Sequence, residues 1–375
     1  MRRLDAVRLL AVARKEWIQL RRDRRSMILA FVLPVFLLLF FGYAISWDVD
    51  NLPLAVLDQD NTPESRALVD ALTASGYFRI ADRLTAAREI DEPLQRGEVQ
   101  GVLVVPPGFQ RDLRSGRSAP VQLLLDGGDA NTATIALNYA GAIVARHSRA
   151  VVLQGRTIAP ALEAEARVWY NPTLESRNMI VPALIAVIMS IIAAMLTALT
   201  IAREWERGTM EQLAATPVHR LEIVLGKLAP YVAVGTIDVV VAVVAGVTIF
   251  GVPFRGSVLL LAALTLLFLI GALGLGIFIS AALRSQVLAM QVAMVATYLP
   301  ALLLSGFLYD IAAMPVGLRA FTYIVPARYY VTVTRGIFLK GVGLEALWPQ
   351  ALSMIAFATV GLGLAALAFR KEIAR

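Results

Sequence analysis

The chain has 375 residues, 58% of them hydrophobic and only 17% charged, with a mean hydropathy of +0.68. Soluble domains average about 45–50% apolar and about 25% charged, so an ordinary soluble protein is excluded. The absence of cysteine rules out disulfides and thiolate metal sites, and the net charge of +7 is spread in a way that fits a membrane rather than nucleic acid.

Residues 1–25 carry Arg2, Arg3, Arg8, Arg14, Lys15, Arg21, Arg22, Arg24 and Arg25. Val7, Leu10, Trp17, Ile18 and Leu20 recur among them near helical spacing. This predicts an amphipathic helix on the inner membrane surface, with Trp17 at headgroup level. An apolar run follows at residues 26–46. Gly42-Tyr43-Ala44 is a weak cleavage signal and the basic region before it is unusually long. The run therefore reads as an uncleaved first span, bent at Pro34.

Residues 47–177 change character. Leu52–Leu57, Phe78–Ala81, Gly101–Val105, Val121–Leu125 and Ala166–Tyr170 are expected strands. Pro63–Ser75, Thr85–Arg96, Pro107–Ser115 and Thr132–Gln154 are expected helices. The alternation predicts a mixed or parallel sheet flanked by helices. This stretch holds 17 acidic and 13 basic residues, so its charge opposes that of the rest of the chain. Asp126 and Asp129 lack EF-hand spacing and read as a strand-end turn. Glu163 and Glu165 read as a solvated face.

Five further apolar runs follow: Asn178–Ala202, Ile223–Phe250, Ser257–Leu283, Val287–Leu308 and Leu347–Phe369. Each is long enough to cross a bilayer, which takes about 20 helical residues. Residues 309–343 are too interrupted for a span. Pro315 and Pro326 break them into short interfacial or re-entrant pieces with Phe321, Tyr323, Tyr329 and Tyr330. The expected fold is thus an α-helical polytopic membrane protein of six spans, with an α/β domain inserted between spans one and two. The N-terminus, Arg203, Arg207, Arg220, Arg284 and the tail at Arg370, Lys371 and Arg375 fall on one side, read as the cytosol. Arg255, Arg319, Arg328, Arg335 and Lys340 on the other side weaken that bias.

Residues 203–217 form a polar island between spans two and three, R-E-W-E-R-G-T-M-E-Q-L-A-A-T-P. Gly208 can end a helix in the left-handed conformation. Thr209 and Gln212 have capping-box spacing for a short second helix. Thr216 and Pro217 are expected to cap and begin the next one. The spacing alone fits an ordinary capped loop as well as a helix that docks into a partner. The pattern R-E-x-E-R-G-T-x-E-x-L-x-x-T-P at this position resembles the coupling-helix loop of ABC type-2 transporter permeases. S-G-F-L-Y-D-I-x-x-M-P and P-A-R-Y-Y…R-G-I-F-L-K-G further on resemble the end of the same permease domain.

The resemblance implies a permease subunit of an ATP-driven exporter of multidrug type, in a bacterial cytoplasmic membrane with both termini in the cytosol. It implies that Arg203, Glu204, Glu206, Arg207, Gly208, Thr209, Glu211, Thr216 and Pro217 meet the partner ATPase. ATP and Mg would be used by that subunit, with no cofactor bound by this chain. Two copies, or this chain and a related permease, would enclose a path for hydrophobic or amphipathic compounds through the lipid bilayer. A periplasmic adaptor is left open for the soluble domain, and nucleic acid is not an expected partner.

The residues themselves agree that this chain is not the ATPase. Its only Gly-Lys pair, Gly226-Lys227, is followed by Leu228 and lacks the Walker glycine at Leu221. His147 and His219 have no metal-ligand spacing. Asp238, in the middle of span three, is either a polar point on a transport route or a structural partner of another span. A proton-coupled transporter built on it, or a membrane-anchored receptor with an outer binding domain, are the rival readings.

Overall fold

In the computed structural model, which describes residues 5–45, 51–152, 169–172, 175–216 and 218–369, the basic N-terminal segment forms helix α1 (Ala6–Arg22). The Asp5 carboxylate accepts from Val7 N at 3.0 Å and caps its start. Extended backbone at Asp23 ends it. Helix α2 (Arg24–Met27) then runs through a π-helical turn at Ile28–Val32 into α3 (Leu33–Ala44). Proline has no N–H and its ring crowds the carbonyl one turn back. The wider π-turn just before Pro34 absorbs that misfit.

The chain divides into two units, one of them Trp47–Ala166. That unit runs β1 (Leu52–Asp58), α4 (Pro63–Ala74), β2 (Phe78–Arg83), α5 (Asp91–Gln95), β3 (Gly101–Val105), α6 (Phe109–Arg114), β4 (Gln122–Leu125) and α7 (Ala130–Val152). The sheet order is β2-β1-β3-β4. Strand β1 lies parallel to both neighbours, with Leu52 opposite Phe78 and Leu54 opposite Gly101. Strand β4 is antiparallel to β3. Because β1 is covered on both faces, its sequence is a continuous apolar run rather than an alternation. Leu68, Leu72, Phe109 and Ala136 pack on one face, and Ala55, Val99 and Val102 form a smaller cluster on the other.

Two expectations for this unit need correction. The helix expected at Thr85–Arg96 is divided into a 3-10 turn, Ala87–Glu89, and α5. The Glu89 carboxylate turns back to accept Thr85 N at 2.8 Å and so starts the turn late. Of the fifth strand expected at Ala166–Tyr170, residues 166–168 lie outside the described residues. Tyr170 has φ +70, which a strand residue does not adopt.

The second unit continues with α8 (Ser176–Glu206), α9 (Met210–Ala215), α10 (Arg220–Thr248), α11 (Val258–Leu283), α12 (Gln286–Leu303), α13 (Val316–Phe321), α14 (Pro326–Arg335) and α15 (Leu344–Ala368). Helices α8, α10, α11, α12 and α15 are long and apolar enough to cross a membrane, and Ile28–Ala44 is a shorter apolar helix. Helix α8 is central, with every side chain from Ile180 to Ala198 buried. Polar contacts fix it to α11. Thr197 Oγ1 donates to Leu273 O at 2.8 Å, and Ser280 Oγ accepts Ala202 N at 2.9 Å. Between membrane helices such bonds and close packing supply the cohesion that water supplies to a soluble core. Helices α12 and α15 leave Val287, Val295, Leu352 and Val360 exposed, a surface suited to lipid. The prolines at 315 and 326 do break residues 309–343 into short pieces, α13 and α14, followed by a π-helical turn at Gly336–Lys340.

Candidate functional site

The last turn of α8 leads into the polar island. Gly208 sits at φ +68, its N–H donates to Trp205 O at 3.2 Å, and Thr209 N donates to Glu204 O at 3.0 Å. This pair of bonds is the Schellman end of a helix, which requires a left-handed residue at Gly208. The Thr209 hydroxyl also donates to Glu204 O at 3.4 Å, completing the end of α8 rather than opening α9. Helix α9 then presents Glu211 and Gln212 outward over a buried Met210, and Arg207 is exposed beside it.

The island is braced from below by a cluster of sealed charges. Lys227, on α10, is 1% exposed; Glu16, on α1, is 2% exposed; Glu204, on α8, is 3% exposed. Lys227 Nζ lies 2.6 Å from Glu16 Oε1 and 3.0 Å from Glu204 Oε1. Lys15 closes the cluster from the half-exposed side by donating to Glu204 Oε1. Beside it, Arg203 Nη1 is 2.8 Å from Asp23 Oδ2, and its other nitrogens reach Ser26 Oγ at 3.3 Å and Gln286 Oε1 at 3.4 Å. Three separate stretches of chain are thus tied to the turn that carries α9.

Helix α1 is fastened along α10 by two further contacts. Glu222 accepts Asp5 N at 2.8 Å. At Gly226 any side chain would meet Val12 Cβ at 2.8 Å and Leu9 O at 3.0 Å, so the approach requires glycine. The sequence readings missed this arrangement. In the sequence Lys227 stands out only as part of a failed Walker motif, although a charge so near an apolar run marks a partnered site by the same logic as Asp238.

Several predicted site residues take other places. Glu204, expected on the partner-facing surface, points inward to the two lysines. Glu206 accepts Gln286 N at 2.7 Å and the Gln286 side-chain amide, so it holds the start of α12. Helix α10 does not begin at Thr216 and Pro217. It begins at Arg220, where His219 and Glu222 form the capping box, with His219 N donating to Glu222 Oε2 at 2.7 Å. Pro217 itself lies outside the described residues. Trp205 stacks under the Arg284 guanidinium at 4.4 Å.

Two cavities lie along α8 and α12, one beside α2 and the π-helical turn and the other beside α3. The lower, about 550 Å³, is lined by Asp23, Ser26, Arg203, Glu206, Arg207 and Gln286, with Leu29, Leu199, Val287 and Met290 above them. The other, about 440 Å³, continues with Leu33, Leu37, Phe41, Ile188, Ile191, Met195, Met294 and Tyr298. On α12 the lining recurs every fourth residue across both, at 286, 290, 294 and 298. The groove is polar at the island and apolar beyond it.

Asp238 does not line either cavity. It is 4% exposed, on the buried face of α10 with Val234 and Ala242, and its Oδ2 has no hydrogen-bond partner among the described residues. An unpartnered buried acid costs about 1–3 kcal/mol or more. Asp238→Leu should therefore raise the unfolding temperature of the purified protein and leave export unchanged. Loss of export at unchanged stability would instead put Asp238 on the route.

The model of the ABC-2 family transporter proteins matches residues 24–367. The chain is 37% identical to "Probable multidrug ABC transporter permease YbhS" of Escherichia coli strain K12, over 98% of this chain and 97% of that protein. It is 32% identical to "Probable multidrug ABC transporter permease YbhR" of the same strain, over 98% and 99%. It is 23% identical to "Linearmycin resistance permease protein LnrN" of Bacillus subtilis strain 168, over 94% and 97%. The chain belongs to the ABC-2 transporter family.

Proposed function

We propose that this chain is the membrane-spanning permease subunit of an ATP-driven exporter, and that α9 is the element its ATPase subunit grips. One observation carries the reading: a short, separate helix exposed at the end of the central span, set by the left-handed turn at Gly208 and braced by the buried charges of Glu16, Glu204 and Lys227. Such bracing makes α9 a handle rather than a slack loop. Arg207 and Glu211 are the partner-facing charges, while Arg203, Glu204 and Glu206 set its position from behind. Thr216 and Pro217 stay candidate contacts of the same partner.

Six spans are counted by adding Arg24–Ala44, about 20 residues of nearly continuous helix, to the five long ones. Both termini then lie in the cytosol, and the α/β unit lies outside, where an adaptor could meet it. ATP and Mg belong to the ATPase. The groove beside α8 suits an amphipathic compound, its polar head at Arg203 and its apolar body along α3 and α12. A second permease, identical or related, would close the groove's open side. The names of the relatives support drug-like cargo.

The test has two parts. Reporter fusions after Asn131 should read external, and fusions after Gly208 cytosolic. An ATPase subunit should co-purify with the wild-type chain and hydrolyse ATP faster when an exported amphiphile is added. A cytosolic signal at Asn131 overturns the topology. Failure of any ATPase to co-purify favours the receptor reading.

A further inference from the structure

At the end of α8 opposite the coupling loop, a cavity of about 590 Å³ opens where Met179, Gly306 and Leu347 meet. Its lining carries the charged residues Arg335, Lys340 and Asp310, with Gln350 and the smaller polar groups of Asn171, Ser305 and Thr332, and Trp169 and Tyr170 stand beside them. Among the described residues Arg335 is held by carbonyls: Nε donates to Met179 O at 3.1 Å, Nη1 to Gly306 O at 2.8 Å and Nη2 to Phe307 O at 3.4 Å. These neutral acceptors fix the guanidinium without cancelling its charge. Lys340 adds a second cation, 5.8 Å above the Tyr170 ring. The cavity also holds groups that call for a cationic donor. The Asp310 carboxylate gives one oxygen to Ala312 N at 3.0 Å. Gln350 Oε1 is buried and has no partner among the described residues.

We propose that this cavity binds the headgroup of a zwitterionic phospholipid carrying a primary ammonium, phosphoethanolamine in chemical terms. The phosphodiester sits against Arg335 and Lys340, because charge-assisted bonds from a guanidinium match phosphate geometry. The ammonium donates to Gln350 Oε1 and Asp310 and lies against the aromatic rings, which favour cations. Buried Val331 and Leu339 on the lining take the first carbons of the acyl chains. A choline headgroup has no N–H to satisfy Gln350, and a glycerol headgroup has no cation for Asp310. The bilayer supplies such a ligand at high local concentration, and the proposal rests on the long helices spanning it.

Native mass spectrometry of the purified full-length chain tests this, from micelles holding equal amounts of phosphatidylethanolamine, phosphatidylcholine and phosphatidylglycerol. One phosphatidylethanolamine per chain should be retained, with about tenfold preference over the other two, the equivalent of one well-placed charged hydrogen bond. Gln350→Leu and Lys340→Met should each lower that retention about tenfold at an unchanged unfolding temperature. Arg335 is left intact because it also anchors three backbone carbonyls. Equal retention of the choline lipid, or wild-type retention by both variants, overturns the proposal. Displacement of the lipid by soluble glycerophosphoethanolamine transfers the site to a free phosphoester and overturns the lipid assignment.

Discussion

Lys227→Met will cost the protein about 3–5 kcal/mol of stability, the usual result of removing one partner from a buried ion pair. The substitution leaves Glu16 and Glu204, both sealed from solvent, facing each other with only the half-exposed Lys15 between them. Two carboxylates in one dry site cannot both stay ionised. The cheapest relief is for α1 to lift away from α10. Thermal unfolding of the purified chain reads the loss, and substrate-stimulated hydrolysis by the associated ATPase should fall with it. The triple variant Lys227→Met, Glu16→Gln and Glu204→Gln removes all the sealed charges together. It should recover most of the stability, because replacing a whole buried cluster is often neutral. A single Lys227→Met variant that unfolds at the wild-type temperature would falsify the bracing role.

Gly208→Val will abolish ATPase association while leaving the chain inserted and folded. A β-branched residue at φ +68 is strained by about 1–2 kcal/mol or more. A Cβ at this position would meet no atom within 4 Å, so the strain arises in the backbone rather than from a clash of that atom. Relief of that strain breaks the two bonds that end α8 and re-aims α9. Gly208→Asn is the control, since asparagine tolerates the left-handed region. Pull-down of the ATPase against the tagged permease measures both. Equal capture by the valine variant would mean that the turn does not position the handle.

The long spans were legible because composition and length alone specify them. Gly208 was legible because one residue type suits its backbone. The start of α10 was misread, since Thr216-Pro217 and His219-x-x-Glu222 are both acceptable helix starts. Only the close seat of α1 on Gly226, which also uses Glu222, favours the second. In the α/β unit the four strands that pair were visible in their apolar runs. The run at Ala166–Tyr170 has a similar look; its first three residues lie outside the described ones, and the conformation of Tyr170 keeps that residue out of a ladder. The charge cluster was not visible. Its members stand more than 180 positions apart in sequence for the closest link to Glu204 from α1, and each looks ordinary alone: an acid in a basic helix, a lysine near the start of a span, an acid at the end of another.

Arg203 and Glu206 have two neighbours at once. They line the polar end of the groove, and they hold the turn that carries α9 through Asp23 and Gln286. On the proposed function, an amphiphile whose head competes for those side chains acts on the handle without any relay through the protein. Linkage then makes the effect reciprocal: whatever free energy the cargo adds to the grip of the ATPase, the docked ATPase returns as tighter cargo binding. Stimulation of hydrolysis by cargo and retention of cargo by the loaded complex become two readings of the same shared contacts.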